Sequence, residues 1–132
     1  MFRHLLAIIG YVVATFATQA LSHFVVFKAH YDAIPFNAPS PIFVLGLASM
    51  LVQGAILSGV FVQSTFRERG MIGALGLSWL FGAFLVSYIA LAEPAKYAVP
   101  DIRTWMLVEV VAGAVQYTLA GMALYFAHRR PI

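Results

Sequence analysis

The sequence predicts an all-α integral membrane protein, an antiparallel up-down bundle of four transmembrane helices forming a single domain over residues 1–132. Three observations predict it. Hydrophobic residues make up 62% of the chain and charged residues 10%, far from the roughly one-quarter charged usage of soluble domains. The apolar residues gather into four runs, over about 5–27, 41–66, 71–92 and 104–127, each long enough to cross a hydrocarbon core about 30 Å thick. The charged residues fall almost entirely between the runs or at the chain ends.

The first run exceeds the 7–15 residue apolar core of a secretory signal, so it reads as a retained helix. The second opens at Ser40 and Pro41, a capping hydroxyl followed by a proline whose fixed φ suits the first helical position. Arg67, Glu68, Arg69 and Gly70 close it. So short a connection predicts a tight turn, with the third run returning beside the second as a helical hairpin. Pro94 and Pro100 bracket an irregular segment, Asp101 is the expected cap of the fourth run, and His128, Arg129 and Arg130 end it.

In such a bundle Arg3, Arg67, Arg69, Arg129 and Arg130 share one side, whereas Lys28, Lys96 and Arg103 share the other with Asp32, Glu93 and Asp101. The positive-inside bias therefore puts both termini in the cytoplasm, in a membrane of the bacterial inner-membrane type. The chain has no cysteine, which excludes disulfides, thiolate metal sites and thiol redox chemistry. No cofactor and no metal are expected. A net charge of +3, placed beside apolar spans, reports orientation rather than nucleic-acid binding.

Polar residues inside the runs mark the candidate site. At a rise of about 1.5 Å per residue, His23 lies about 6 Å and Glu109 about 8 Å below the outer ends of their helices, so the two can meet. Gln53 and Gln116 both come out roughly 18 Å deep, with Gln19 a little above them. Gln19 and His23 are four apart and share a helix face, as do Glu109, Gly113 and Gln116, while Thr15 and Ser22 extend the stripe on the first helix. Glutamines in membrane bundles commonly serve as interhelical glue. Glu109 is the stronger functional signal, because an intramembrane carboxylate costs about 2.5–3.5 kcal/mol on insertion scales; the bland alternatives are a carboxyl kept neutral by desolvation or one reaching back to Arg103.

Tyr88 is placed with the ligand-binding set His23, Glu109, Gln19, Gln53 and Gln116, and Glu93, Lys96, Tyr97, His30, Tyr31 and Asp32 are rim candidates, although tyrosine and lysine at membrane ends are ordinary interface anchors. His4 and His128 lie at the same end of the bundle and can face each other. Ala74, Ser78 and Gly82 repeat every four residues on the third run, a small-residue packing face that serves either the internal bundle or a dimer.

In length and helix number the chain resembles small multidrug exporters and fluoride channels. The exporters' essential first-helix carboxylate has no counterpart here, where that helix holds Gln19 and His23, and the channels' phenylalanine-threonine-serine signature is missing. Neither resemblance carries a function. Three expectations remain: an outer-leaflet pocket that binds or transports a small amphipathic molecule; an accessory or assembly subunit of a larger membrane complex; and an intramembrane acid/base enzyme using His23 and Glu109. The expected partners are the lipid bilayer, the amphipathic ligand, and further copies of the chain or a larger complex.

Overall fold

The structure, a computed structural model, describes residues 1–35, 40 and 42–129. Pro41, expected to open the second helix, and the basic Arg130 lie outside the described residues. Every regular element described is helical: α1 (Phe2–Leu21), α2 (Lys28–Asp32), α3 (Phe43–Gln63), α4 (Gly70–Ser87) and α5 (Ile102–His128). Two π turns, Ser22–Val26 and Tyr88–Ala92, prolong α1 and α4, and a 3₁₀ turn, Thr65–Arg69, leads into α4. Four stretches are long and apolar enough to cross a membrane: Phe2–Val26, Phe43–Gln63, Thr65–Ala92 and Ile102–His128. The four expected spans are therefore present.

Local chemistry explains several boundaries. Asp101 caps α5 as expected, its carboxylate accepting the Thr104 N–H at 2.8 Å and also the Thr104 hydroxyl. Those bonds hold the Asp101 carboxyl below its ordinary range. The short charged connection is indeed a tight turn. It ends at Gly70, whose φ of +59° lies where a Cβ is strained.

The expected hairpin packing of the second and third spans is not found. α1 packs between α3 and α5, and α4 packs on the far side of α5, so the order across the molecule is α3, α1, α5, α4. α3 and α4 make only sparse contact. The reason lies in which faces let backbones approach closely. The Ala74, Ser78 and Gly82 face of α4 is taken by α5: Ser78 Oγ donates to the Tyr117 carbonyl at 2.7 Å, and a Cβ on Gly82 would sit 2.6 Å from the Tyr117 ring. The small-residue repeat is thus an internal packing face. Close approach recurs between α1 and α5, where a Cβ on Gly10 would lie 2.8 Å from the Ala123 Cβ.

An apolar core gathers at one end of this arc. Ala7, Leu57, Phe61, Ala74, Leu77 and Leu124 are buried there together, with Tyr11 and Tyr117 at its edge. The residues α3 buries all lie in its second half, Gly54, Leu57, Ser58 and Phe61; in its first half Met50 packs against the core partly buried, and no residue from Phe43 to Gln53 is buried. Contacts pair early residues of one helix with late residues of its neighbour, as between His4 and Ser58, Phe16 and Phe43, or Val86 and Gly113. Two ends result. The His128 end is closed by packing, and the Glu109 end is where α3 lacks a packing partner on α4.

Candidate functional site

A cavity of about 190 Å³ lies within the arc, lined by all four spans. α1 contributes Thr15 and Gln19, α3 Ser49 and Gln53, and α5 Glu109 and Gln116, while α4 and its π turn supply the apolar Leu85, Val86 and Ile89. Four of the six residues expected to bind a ligand, Gln19, Gln53, Glu109 and Gln116, therefore share one cavity.

Two cross-helix hydrogen-bond chains hold its wall. Gln19 Nε2 donates to Gln116 Oε1 at 2.8 Å, tying α1 to α5. Tyr11 Oη donates to Gln53 Oε1 at 2.7 Å and lies 3.4 Å from Tyr117 Oη, while Gln53 Nε2 donates to Ser49 Oγ at 3.0 Å. The amides thus do act as glue, and in doing so they are fixed around the cavity. Thr15 Oγ1 is buried with no hydrogen-bond partner among the described residues, and it lines the same cavity. A buried hydroxyl without a partner is costly in an apolar setting, so a bound polar group would offset a standing penalty.

Glu109, 8% exposed, is gripped from the loop side. Tyr31 Oη donates to Glu109 Oε1 at 2.9 Å. Tyr31, on α2, stacks against His23 with ring centroids 3.7 Å apart and planes 15° from parallel. His23 in turn places Nδ1 3.0 Å from the Gln19 carbonyl. Burial first, and then the negative charge of Glu109, push the Tyr31 phenol above its usual range, so Tyr31 stays a hydrogen-bond donor. His23 and Glu109, expected to meet directly, are instead linked through the Tyr31 ring. α2 folds back so that Tyr31 touches both side chains.

Both π turns sit beside this site. Each closes with a wide hydrogen bond, Phe27 N–H to the Ser22 carbonyl at 2.9 Å and Glu93 N–H to the Tyr88 carbonyl at 3.2 Å. Such turns release a backbone carbonyl from the regular ladder, and Trp105 Nε1 donates to the Ile89 carbonyl at 2.9 Å. Trp105, Val108, Tyr31 and Ile34 pack together at this level, so the loop residues are anchored onto α5.

Tyr88 does not join the cavity. On its π turn the inward position belongs to buried Ala90, and Tyr88, two residues away and so on the opposite side, is 52% exposed. It accepts a bond from Lys96 Nζ at 3.2 Å, and the same ammonium lies 5.0 Å from its ring centroid. Among the other rim candidates, Asp32 pairs with Lys28 on the exposed side of α2, and His30 packs edge-on against Tyr31. Burial pushes the Glu93 carboxyl up, against the opposing pull of Lys96.

Sequence reasoning passed over Tyr11 and Tyr117. The available signal was Tyr11 at four and eight residues before Thr15 and Gln19, which continues the polar stripe of α1. Known proteins add nothing to this geometry. No family model matches the chain, and no curated protein or solved structure is similar to it.

Proposed function

We propose that this is a small integral membrane protein whose polar cavity binds a small amphipathic molecule reaching it from the bilayer between α3 and α4. The observation that carries the reading is the convergence of Gln19, Gln53, Glu109, Gln116 and the unpartnered Thr15 hydroxyl on one cavity. Polar groups at membrane depth that are held in place yet keep spare hydrogen-bonding capacity are the usual mark of a ligand site. Entry between α3 and α4 follows from their sparse contact and from the unburied first half of α3. The apolar core at the His128 end closes the cavity in that direction, which favours a binding site entered from one end over a continuous pore. The ligand's head would meet the Glu109 carboxyl, the Thr15 hydroxyl and the amides, and its apolar part would lie along Leu85, Val86 and Ile89.

In this reading the spans run up and down across the bilayer, with both termini on the cytoplasmic side and the Glu109 end in the outer leaflet. The excess of arginine at the His128 end supports that orientation. A photoreactive alkylamine reconstituted with the protein tests the site: labelling should concentrate near Ser49 and Gln53 and fall in Glu109→Gln. Uniform labelling of all lipid-facing positions would contradict it.

One observation favours a second reading, an accessory subunit of a larger membrane complex: the apolar stretch 43–53 of α3 has no buried residue. Photocrosslinking from Leu45 distinguishes it, because a subunit yields one discrete protein adduct in its native membrane and a free-standing binder yields lipid adducts.

A further inference from the structure

The His128 end holds a second cluster that the cavity does not use. Ser58, 0% exposed, bridges two imidazoles: its Oγ lies 2.8 Å from His4 Nδ1 and 2.9 Å from His128 Nε2. A serine hydroxyl can donate to one ring and accept from the other. The arrangement therefore fixes both rings, with centroids 5.2 Å apart, and commits only one nitrogen of each. His128 is itself buried. Beside the two rings is a surface cavity of about 380 Å³ lined by Phe2, Arg3, His4, Val62, Arg67 and His128.

This lining is cationic, and the acidic residue nearest in sequence, Glu68 beside Arg67, is not part of it. No carboxylate contributes to it, and among the described residues the one ion pair, Lys28 with Asp32, is at the opposite end of the molecule. Two guanidinium groups around one recess repel each other unless an anion is shared between them. Guanidinium is the side chain best matched to tetrahedral oxyanions, because its planar fork offers paired donors. Phe2 and Val62 add an apolar rim. Arg69 and Arg129 are basic residues of the same end but do not line the cavity, so the clustering is narrower than a general excess of positive charge.

We propose that this cavity is a binding site for a phosphate monoester or inorganic phosphate, held by Arg3 and Arg67, with the imidazole that accepts the Ser58 proton donating its other N–H from below. Phosphate groups of this kind carry more than one negative charge at neutral pH and offer three strong acceptors, matching two guanidinium groups and one imidazole N–H. The source is either a lipid headgroup at the membrane surface or free phosphate from water. A basic pocket between spans at the membrane surface suits the first, and the recess is accessible to the second.

The test uses the full chain in phosphatidylcholine nanodiscs. In one arm the discs contain a small fraction of phosphatidic acid, and native mass spectrometry counts the lipid retained; in the other, inorganic phosphate is titrated by calorimetry. The expected result is one retained phosphatidic acid per chain. Its affinity should fall about fivefold for each of Arg3→Gln and Arg67→Gln, taking about 1 kcal/mol per arginine near a charged surface. Arg69→Gln with Arg129→Gln, which removes the same charge from the same end, should leave retention unchanged. Circular dichroism confirms that the variants remain folded. Saturable phosphate binding lost in the same variants supports the site with a soluble source, and retention of phosphatidic acid alone supports it with a lipid source. No saturable binding in either arm, or equal losses in the two arginine pairs, overturns it.

Discussion

The two ends of the bundle solve the problem of polar groups in lipid differently. At the His128 end, Ser58, His4 and His128 satisfy one another over an apolar core that leaves Ser58, Ala74 and Ser78 fully inaccessible. At the Glu109 end, the polar groups are fixed by Tyr31, Gln19 and Tyr11 but stand around a cavity, and Thr15 is left without a partner. The first arrangement spends the Ser58 hydroxyl on structure and leaves spare capacity only at the surface recess beside the two rings. The second retains capacity for something else, and the contrast within one 132-residue chain separates polar residues that hold the fold from those available to a ligand.

If that contrast is real, α3 should be steeply graded along its length. Phe61, 2% exposed, sits in the closed core, whereas Leu45 is 66% exposed. Phe61→Ala should cost about 3 kcal/mol, the low end for such truncations because the side chain leaves for lipid rather than water. Leu45→Ala should stay within about 0.5 kcal/mol. Equilibrium unfolding in nanodiscs measures both, and similar costs would erase the distinction between the ends.

Next in size is Ser58→Ala, which leaves two imidazoles without their shared hydroxyl and should cost about 1–3 kcal/mol. Gln116→Leu at the open end breaks the bond from Gln19 and should cost less, about 0.6–1.7 kcal/mol. A larger loss for Gln116→Leu than for Ser58→Ala in the same unfolding assay would mean that the cavity wall carries more of the fold than its packing indicates.

The smallest effect concerns the start of α5. The Asp101 carboxyl is held below its ordinary range by Thr104. A depressed folded-state value means the cap stabilises above the unfolded pKa of about 3.9 and is lost as pH falls through the lower folded value. Normalised amide protection over the first turn of α5 should therefore drop only in strongly acidic buffer. In Asp101→Asn, which caps without titrating, it should stay flat.

What was legible in the sequence was local. The four spans follow from run length, the α5 cap from Asp101, and the tight turn from Arg67 to Gly70, and rise per residue placed Gln53 and Gln116 at one level, where they line one cavity. What was not legible depended on how helices choose neighbours. A short connection implied a hairpin, yet Gly82 and Ser78 pack on Tyr117 of α5. Tyr31 reads as an interface anchor until the π turn after Leu21 and the short α2 bring it back onto Glu109. Tyr88 was placed by its position near the outer end of its run, without a helix face, and its side chain is exposed and bonded by Lys96.

The central claim is that the Glu109 end holds a ligand. Native mass spectrometry of the protein extracted with its surrounding lipids tests it most directly. A discrete additional mass at one per chain, absent from Glu109→Gln while the fold is retained, is the predicted result. A wild-type chain carrying no such mass, or one retained equally by Glu109→Gln, would contradict it.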